Sequence, residues 1–398
     1  MIDEEGLVRE RVGALLGACD PRTTSPEAFW AGQFDTGLAW VWFPSGFGGL
    51  GIDPGLQVVA DEALAQAGAP SNWTRNPVGL GAAAAALAAA GTEEQRRRWL
   101  RPLFTCAEVW CQLYTEPAAG SDLAALATTA TTEGDGWAVT GHKVFTTLAH
   151  VARWGLLLAR TGTGRDGSRH GGLTCFVVDM EEEGVAVRPL RQLDGDAEFC
   201  DVALEGVVVP DRNRLGPVGD GWAVAVATLA NERLALAGPR RGRGEGPIAE
   251  AVRLWRQRGH DDPVLRDRLI RCWIEAEVAR LTVARARSRP AHGPGRPGPE
   301  AAVAKLLAAE VDQRVWELCV DLLGPEGALY DSWEPHVPTR AGESRRDPRR
   351  AYLRSRALTV QGGTAEIVRN LLAERVLGLP PERATDGTRS SSATQDDR

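Results

Sequence analysis

The period of apolar and polar positions changes twice along the chain. Residues 1–110 read as helical. Ser25 before Pro26 predicts a helix start, with Ser as N-cap and Pro in the first turn. Thr92 and Gln95 form a capping box ahead of RRRWL. Upstream, GAAAAALAAAG is strongly helix-prone, and its small side chains leave room for another helix to come close. From 111 to 215 the texture turns to short β-branched segments: WAVTGHKVFTT, WGLLLART, LTCFVVDM, VAVRPL and CDVALEGVVVP, separated by Gly, Asp and charged turns. VAVRPL and DVALEGV alternate, which predicts strands with one wet face; TCFVV does not, which predicts a strand buried on both faces. After Gly221 the helical period returns, with a stripe at Val303, Leu307, Val311, Val315, Leu318 and Leu322. Thr364 is the expected N-cap of the last helix, Gly378 its end, and Pro380 lies just beyond.

The pattern predicts a mostly α protein with a central β unit: a helical domain over 1–110, a small β domain over 111–215 and a helical domain over 216–380. ARSRPAHGPGRPGPE (285–299) is an expected Pro/Gly loop, RAGESRRDPRR (340–350) a solvated basic loop, and 381–398 a polar tail expected to be disordered. No internal repeat interrupts this order.

Composition narrows the function classes. A length of 398 residues allows two or three structural units, and 43% hydrophobic with 25% charged residues is ordinary for a soluble globular protein. A net charge of −7 argues against nucleic acid as a partner. No apolar run reaches the ~18 residues of a membrane span. The start, MIDEEGLVRER, is acidic where a secretory signal is basic. Seven scattered cysteines without a C-x-x-C pair fit free thiols in the cytoplasm, not a disulfide framework or a zinc site, and no metal is expected. The Asn72-Trp73-Thr74 sequon is then a chance match. GFGGLG (46–51) matches the dinucleotide fingerprint by letter, but Pro54 follows where a helix should open and no βαβ alternation appears, so it reads as a Gly-rich turn.

One charge is out of place. Glu232 lies in GWAVAVATLANERLALAG, and its helical neighbours would be Thr228, Leu229, Ala235 and Leu236. Burying a carboxylate there is costly unless it pairs with Arg233, Arg240 or Arg241, or is kept to take a proton.

CQLYTEPAAGSDLAAL (111–126), GHKVFTTLAH (141–150) and LRSRALTVQGGTAEIVRNLLAERVLGLP (353–380) resemble the acyl-CoA dehydrogenase family. WFPSGFGGLGID, GDGWAVAVATLANER and DLLGPEG fit the same template, and the resemblance runs in order from about residue 5 to 380. It implies an N-terminal helical domain, a small β-barrel and a C-terminal helical bundle. It also implies FAD. Tyr114 and Thr115 would lie along the flavin edge, and Ser121 after Gly120 would reach the pyrophosphate. Phe145 and Thr147 would line the other side of the ring, and Thr364 and Glu366 would approach the phosphate-ribose-adenine part from a helix start. The implied reaction is α,β-desaturation of an acyl thioester, acyl-CoA or acyl-carrier protein. A carboxylate removes the α-proton while the β-hydrogen leaves as hydride to flavin N5.

Many family members carry the base as Glu in Tyr-Glu-Gly-Thr before the last helix; here the stretch is Gln361-Gly362-Gly363-Thr364, and glycine cannot accept a proton. Others place the base on the helix crossing the substrate pocket, which corresponds to Glu232, with Arg233 at a position near the substrate. Three further departures stand out. Phe145 replaces a usual tryptophan, Asp321 stands where a Gln often precedes Gly324–Gly327, and VRLWRQRGHDDPVLRDR lacks the Arg-x-x-Phe-Gly by which a neighbouring subunit grips the cofactor. Arg266 and Arg268 are candidate substitutes. The implied partners are an electron-transferring flavoprotein and further subunits, as a homodimer, homotetramer or heterotetramer. Two other functions remain open: a non-catalytic partner subunit, and a flavin monooxygenase on the same fold.

Overall fold

The computed structural model describes residues 3–163, 169–237, 241–288, 298–330, 332, 334, 336–342 and 347–380. The expected tail 381–398, most of the Pro/Gly loop (289–297) and the middle of the basic loop (343–346) lie outside the described residues.

The N-terminal part holds α1 (Glu4–Ala18), α2 (Pro26–Asp35), α3 (Gln57–Gln66), α4 (Ala84–Ala90) and α5 (Glu93–Phe104). Ser25 caps α2 from its side chain, and Thr92 with Gln95 closes both halves of the capping box on α5. The alanine run is helical throughout, but Gly79–Ala83 ahead of α4 is a π-helical turn. GFGGLG forms a turn, with no helix opening from it.

Eight strands follow: β1 (Trp110–Leu113), β2 (Thr129–Glu133), β3 (Gly136–Thr147), β4 (Trp154–Arg160), β5 (Leu173–Asp179), β6 (Val185–Leu190), β7 (Phe199–Pro210) and β8 (Arg214–Leu215). They form one sheet in the order β6-β7-β3-β2-β4-β5-β8, with β1 added parallel to β4. β6 and β8 are the ends of this order. The strand that did not alternate, β5, is buried along six of its seven residues. Its Leu173, Cys175 and Val177 pack into a core shared with the N-terminal helices, and Phe176 and Val178 into the interior of the sheet. β6 alternates as read.

The C-terminal part holds α6 (Gly221–Leu236), α7 (Pro247–Arg258), α8 (Pro263–Ser288), α9 (Glu300–Leu323), α10 (Pro348–Ser355) and α11 (Ala365–Arg375). On α9, Val311, Val315, Leu318 and Leu322 are buried against α7 and α8, as the stripe predicts. Val303 is the exception: it is exposed, because the first turns of α9 bury Ala301, Ala302, Ala304 and Lys305 instead. α8 runs four residues into the expected Pro/Gly loop, and the end of the basic loop opens α10 at Pro348. Thr364 caps α11, but the helix ends at Arg375, three residues before Gly378.

Candidate active site

Glycine sets the path of α6. A Cβ on Gly221 would sit 2.6 Å from the Thr174 backbone, so only a glycine lets the helix start this close to β5. On its other side α6 meets the alanine-rich segment, where a Cβ on Gly81 would lie 3.3 Å from Ala235 Cβ. The small side chains do bring two helices together, and the contact falls one turn from Glu232.

Glu232 is partly buried, and its Oε2 is shielded with no hydrogen-bond partner of ordinary geometry among the described residues. Burial pushes its pKa up from 4.5 to about 7, against the opposing pull of Arg233, Lys305 and Gln112. Gln112 is near enough to favour the charged form, yet its own Nε2 also lacks a partner of ordinary geometry. Among the described residues, neither Arg233 nor Arg241 forms a tight ion pair with Glu232. Arg233 donates Nε to the Gly362 carbonyl at 3.2 Å, and Arg241 pairs with Asp312 at 3.3 Å. Arg240 lies outside the described residues.

The glycine turn before α11 reaches the same carboxylate. A Cβ on Gly362 would stand 3.8 Å from Glu232 Oε1 and 2.4 Å from Leu236 Cδ1. Gly362 and Gly363 have φ of +65° and +93°, and Lys305 Nζ donates to the Gly363 carbonyl at 2.7 Å. The glycine turn before α11 and the Glu232 carboxylate therefore lie side by side.

Tyr114 and Thr115 follow β1. The Tyr114 ring is buried and its hydroxyl has no hydrogen-bond partner of ordinary geometry. Burial first, then the nearby Cys175 thiol, raise its pKa well above 10, and Glu232 is close enough to add to the rise. Thr115 accepts from Val144 N at 2.9 Å, which puts it beside Phe145. Phe145 has φ +58° at an irregularity of the β3–β7 pairing, and its ring is 63% exposed, edge-on to Phe199. A non-glycine residue in the left-handed region is strained, and such strain gathers at functional sites. Next to it, Thr146 Oγ1 is buried without a partner, and Thr147 is partly buried opposite Phe199.

Gly120 and Ser121 are exposed, past the turn in which Glu116 and Ala119 exchange backbone hydrogen bonds. A Cβ at Gly120 would meet nothing within 4 Å, so packing within this chain does not demand glycine there. Thr364 accepts from Ile367 N as a cap. Glu366 has its carboxyl held below the usual range first by its own backbone N–H and then by the Thr364 hydroxyl, so it uses the helix start itself. Of the sequence candidates, Tyr114, Glu232, Arg233 and the turn leading to Thr364 converge at α6, and Thr115, Phe145 and Thr147 gather where β3 meets the end of β1. Gly120, Ser121 and Glu366 stay at the surface.

Arg268, a candidate substitute for the missing cofactor grip, forms an ion pair of 2.7 Å with Asp321, so two of the departures meet each other. One cleft, with about 590 Å³ of empty space, lies away from Glu232, between the end of α6, α8 and α9, lined by Arg241, Trp273, Asp312 and Val315. A smaller one, about 280 Å³, is lined by Leu236, Lys305 and Gln361 among others.

Sequence reasoning missed Lys305, which lies buried among alanines on α9, and the pair Lys143–Glu116. Lys143 is fully buried and donates to Tyr114 O at 3.1 Å, Leu158 O at 2.9 Å and Glu116 Oε1 at 2.9 Å. Burial lowers its pKa to about 8 even with Glu116 beside it. The signal for Glu116 was its place in YTEP; Lys143 and Lys305 gave none, because a lone lysine in a strand or helix reads as a solvated one.

Among the described residues no helix is long and apolar enough to cross a membrane. Residues 5–106, 111–207 and 219–377 match the N-terminal, middle and C-terminal domains of acyl-CoA dehydrogenases. The acyl-CoA dehydrogenase IpdE1 of Mycobacterium tuberculosis is 38% identical over 355 residues, 87% of this chain and 86% of its own. Among solved structures, a chain of the ChsE4–ChsE5 complex from Mycobacterium tuberculosis superposes with a TM-score of 0.70 at 26% identity, covering 95% of this chain and 98% of that one. The prolyl acyl carrier protein oxidase AnaB shares the fold, with a TM-score of 0.67 at 21% identity, over 94% of this chain and 99% of its own.

Proposed function

The chain belongs to the acyl-CoA dehydrogenase family of oxidoreductases, and from that premise we propose that it desaturates an acyl thioester between Cα and Cβ with Glu232 as the proton acceptor. The observation that carries this is the state of that carboxyl: shielded, unpaired at Oε2, with a pKa near 7 and next to a glycine where relatives hold the acid. A base with a pKa near the working pH combines adequate ionisation with adequate strength. Glu232 takes the α-proton, and Arg233 and Lys305 keep its charged form accessible despite burial. Negative charge developing on the thioester oxygen needs donors aimed at it.

The family uses a flavin, and we take it to be FAD. The residues fit such a group. Tyr114 OH, Gln112 Nε2 and Thr146 Oγ1 are buried polar atoms with no hydrogen-bond partner of ordinary geometry among the described residues, and Phe145 is held in a strained conformation and exposed. Tyr114, Thr115, Phe145 and Thr147 would hold the ring, Gly120 and Ser121 the pyrophosphate, and Thr364 and Glu366 the distal half. When bound, FAD supplies the acceptor for the two electrons of the β-hydrogen. The chain's part is to bind and orient it, to exclude water around α6 and to hold the proton at Glu232. We further propose that the electrons pass on to an electron-transferring flavoprotein. CoA and carrier protein both remain in the proposed substrate class.

A second reading concerns assembly. Without the Arg-x-x-Phe-Gly, and with Arg268 paired to Asp321, a cross-subunit grip on the cofactor must be built differently or be weaker, and one similar chain was solved in the ChsE4–ChsE5 complex. We propose a catalytic subunit of a homo- or hetero-oligomer; an inactive partner would have no use for the costly acid at 232. The test is anaerobic flavin reduction across a panel of acyl-CoAs and acyl-carrier proteins, repeated with Glu232→Gln. Flavin that stays bound but is not reduced supports the reading. Unchanged reduction by the variant sinks it.

A further inference from the structure

The positive charge beside Glu232 does not come from its helix alone. Lys305 lies one layer away on α9, 2% exposed, among Ala301, Ala302, Ala304 and Ala309. A lysine so buried must be held by acceptors or by an opposite charge. Its one hydrogen-bond acceptor among the described residues is the Gly363 carbonyl at 2.7 Å, and the next carbonyl back, Gly362, takes Arg233 Nε at 3.2 Å. The two cations thus hold consecutive carbonyls of one turn. Leu236 closes the turn from the other side, where even a methyl on Gly362 would clash at 2.4 Å.

We propose that Lys305 is a positioning residue for the reaction: it clamps the Gly362–Gly363 turn together with Arg233, and supplies the second positive charge that a base in this apolar pocket requires. The proposal rests on the reading of Glu232 as the base. The groups facing that carboxyl are Arg233 from its own helix, Lys305 from α9, and Gln112 and Tyr114 from the end of β1, while Glu366 on α11 faces Lys305. Of the two cations, Arg233 is committed to Gly362 and lowers the Glu232 pKa most, and Lys305 comes next. The influence is mutual. Burial and Arg233 bring Lys305 down to about 8, against the opposing pull of Glu232 and Glu366. Removing this charge leaves burial less opposed, so the carboxyl protonates at higher pH.

The test compares Lys305→Arg, Lys305→Gln and Lys305→Met in the full chain. The first readout is the pH dependence of flavin reduction by acyl-CoA under anaerobic conditions. The second is infrared titration of the Glu232 carboxyl, identified by its absence in Glu232→Gln, which needs no turnover. Loss of charge at 305 should move the acid limb and the infrared midpoint up by about one pH unit, a typical effect of one nearby charge. Lys305→Arg should keep both near the parent values. Should Lys305→Met fail to fold, Lys305→Gln carries the comparison. Identical midpoints for the Gln and Arg variants overturn the proposal, whereas undiminished reduction by Glu232→Gln overturns the underlying reading instead.

Discussion

Keeping a carboxyl ready to accept a proton in an apolar pocket has a stability consequence that can be measured without substrate. The folded-state pKa of Glu232 is raised from 4.5 to about 7. The sign follows directly: an acid whose pKa rises on folding destabilises the folded state once it must ionise. Below pH 4.5 the group is protonated in both states and costs nothing. Between 4.5 and about 7 the unfolded chain releases its proton first and stability falls; above that the loss is complete. At about 1.4 kcal/mol per pH unit, the full loss is roughly 3 kcal/mol. Glu232→Gln removes the ionisation while keeping the shape, and the value near 7 already includes the attraction of Arg233 and Lys305. The variant should therefore be more stable than the parent by up to about 3 kcal/mol at pH 8, and the advantage should vanish near pH 4.5. For a chain of this length that corresponds to a rise in melting temperature of roughly 3–4 °C. Denaturant or thermal melts of both proteins at pH 5, 6, 7 and 8 decide it. If Glu232→Gln is no more stable at pH 8, or if the difference does not shrink on acidification, the carboxyl is not held at a cost and the argument for it as base fails. A gain in stability with loss of reduction is the usual trade between activity and stability.

Moving the proposed base to the turn before α11 should fail. In the double variant Glu232→Gln, Gly362→Glu, the new residue must adopt φ +65° with its Cβ 2.4 Å from Leu236 Cδ1, so flavin reduction should stay below about 1% of the parent; recovery would show that the turn yields. Lys143→Met strands the buried Glu116 carboxylate and frees the Tyr114 carbonyl, and should cost about 3–5 kcal/mol in denaturant melts along with bound flavin. Thr92→Ala breaks the capping box of α5 and should cost about 1 kcal/mol, leaving reduction kinetics unchanged. Arg268→Ala removes an exposed pair with Asp321 and should change stability by less than about 0.5 kcal/mol; a larger loss of flavin would give Arg268 a role in the assembly.

Local rules settle local structure, and here the sequence by itself determined a good deal. Thr92 with Gln95, Ser25 with Pro26, and Thr364 each cap the helix they were expected to cap, because a cap is a contact within four residues. The unbroken apolar run of β5 meant burial on both faces, and the Ala-rich segment meant a close helix neighbour, because side-chain size limits approach wherever the partner comes from. The oddity of Glu232 was legible as well, since the charge breaks the pattern of its own helix. Only the tertiary structure decided what surrounds it. Lys305 is 73 residues away in sequence and Gly362 another 57; the family resemblance of the Gln361–Thr364 stretch pointed to Gly362, but nothing around Lys305 announces that it too faces Glu232. The same holds for Lys143 beneath Tyr114, for Arg268 against Asp321, and for the strained backbone of Phe145, which follows from an irregular pairing with a strand more than fifty residues on. A carboxyl's pKa is set by burial and by charges within a few ångströms, and chain separation places no limit on which residues come that near.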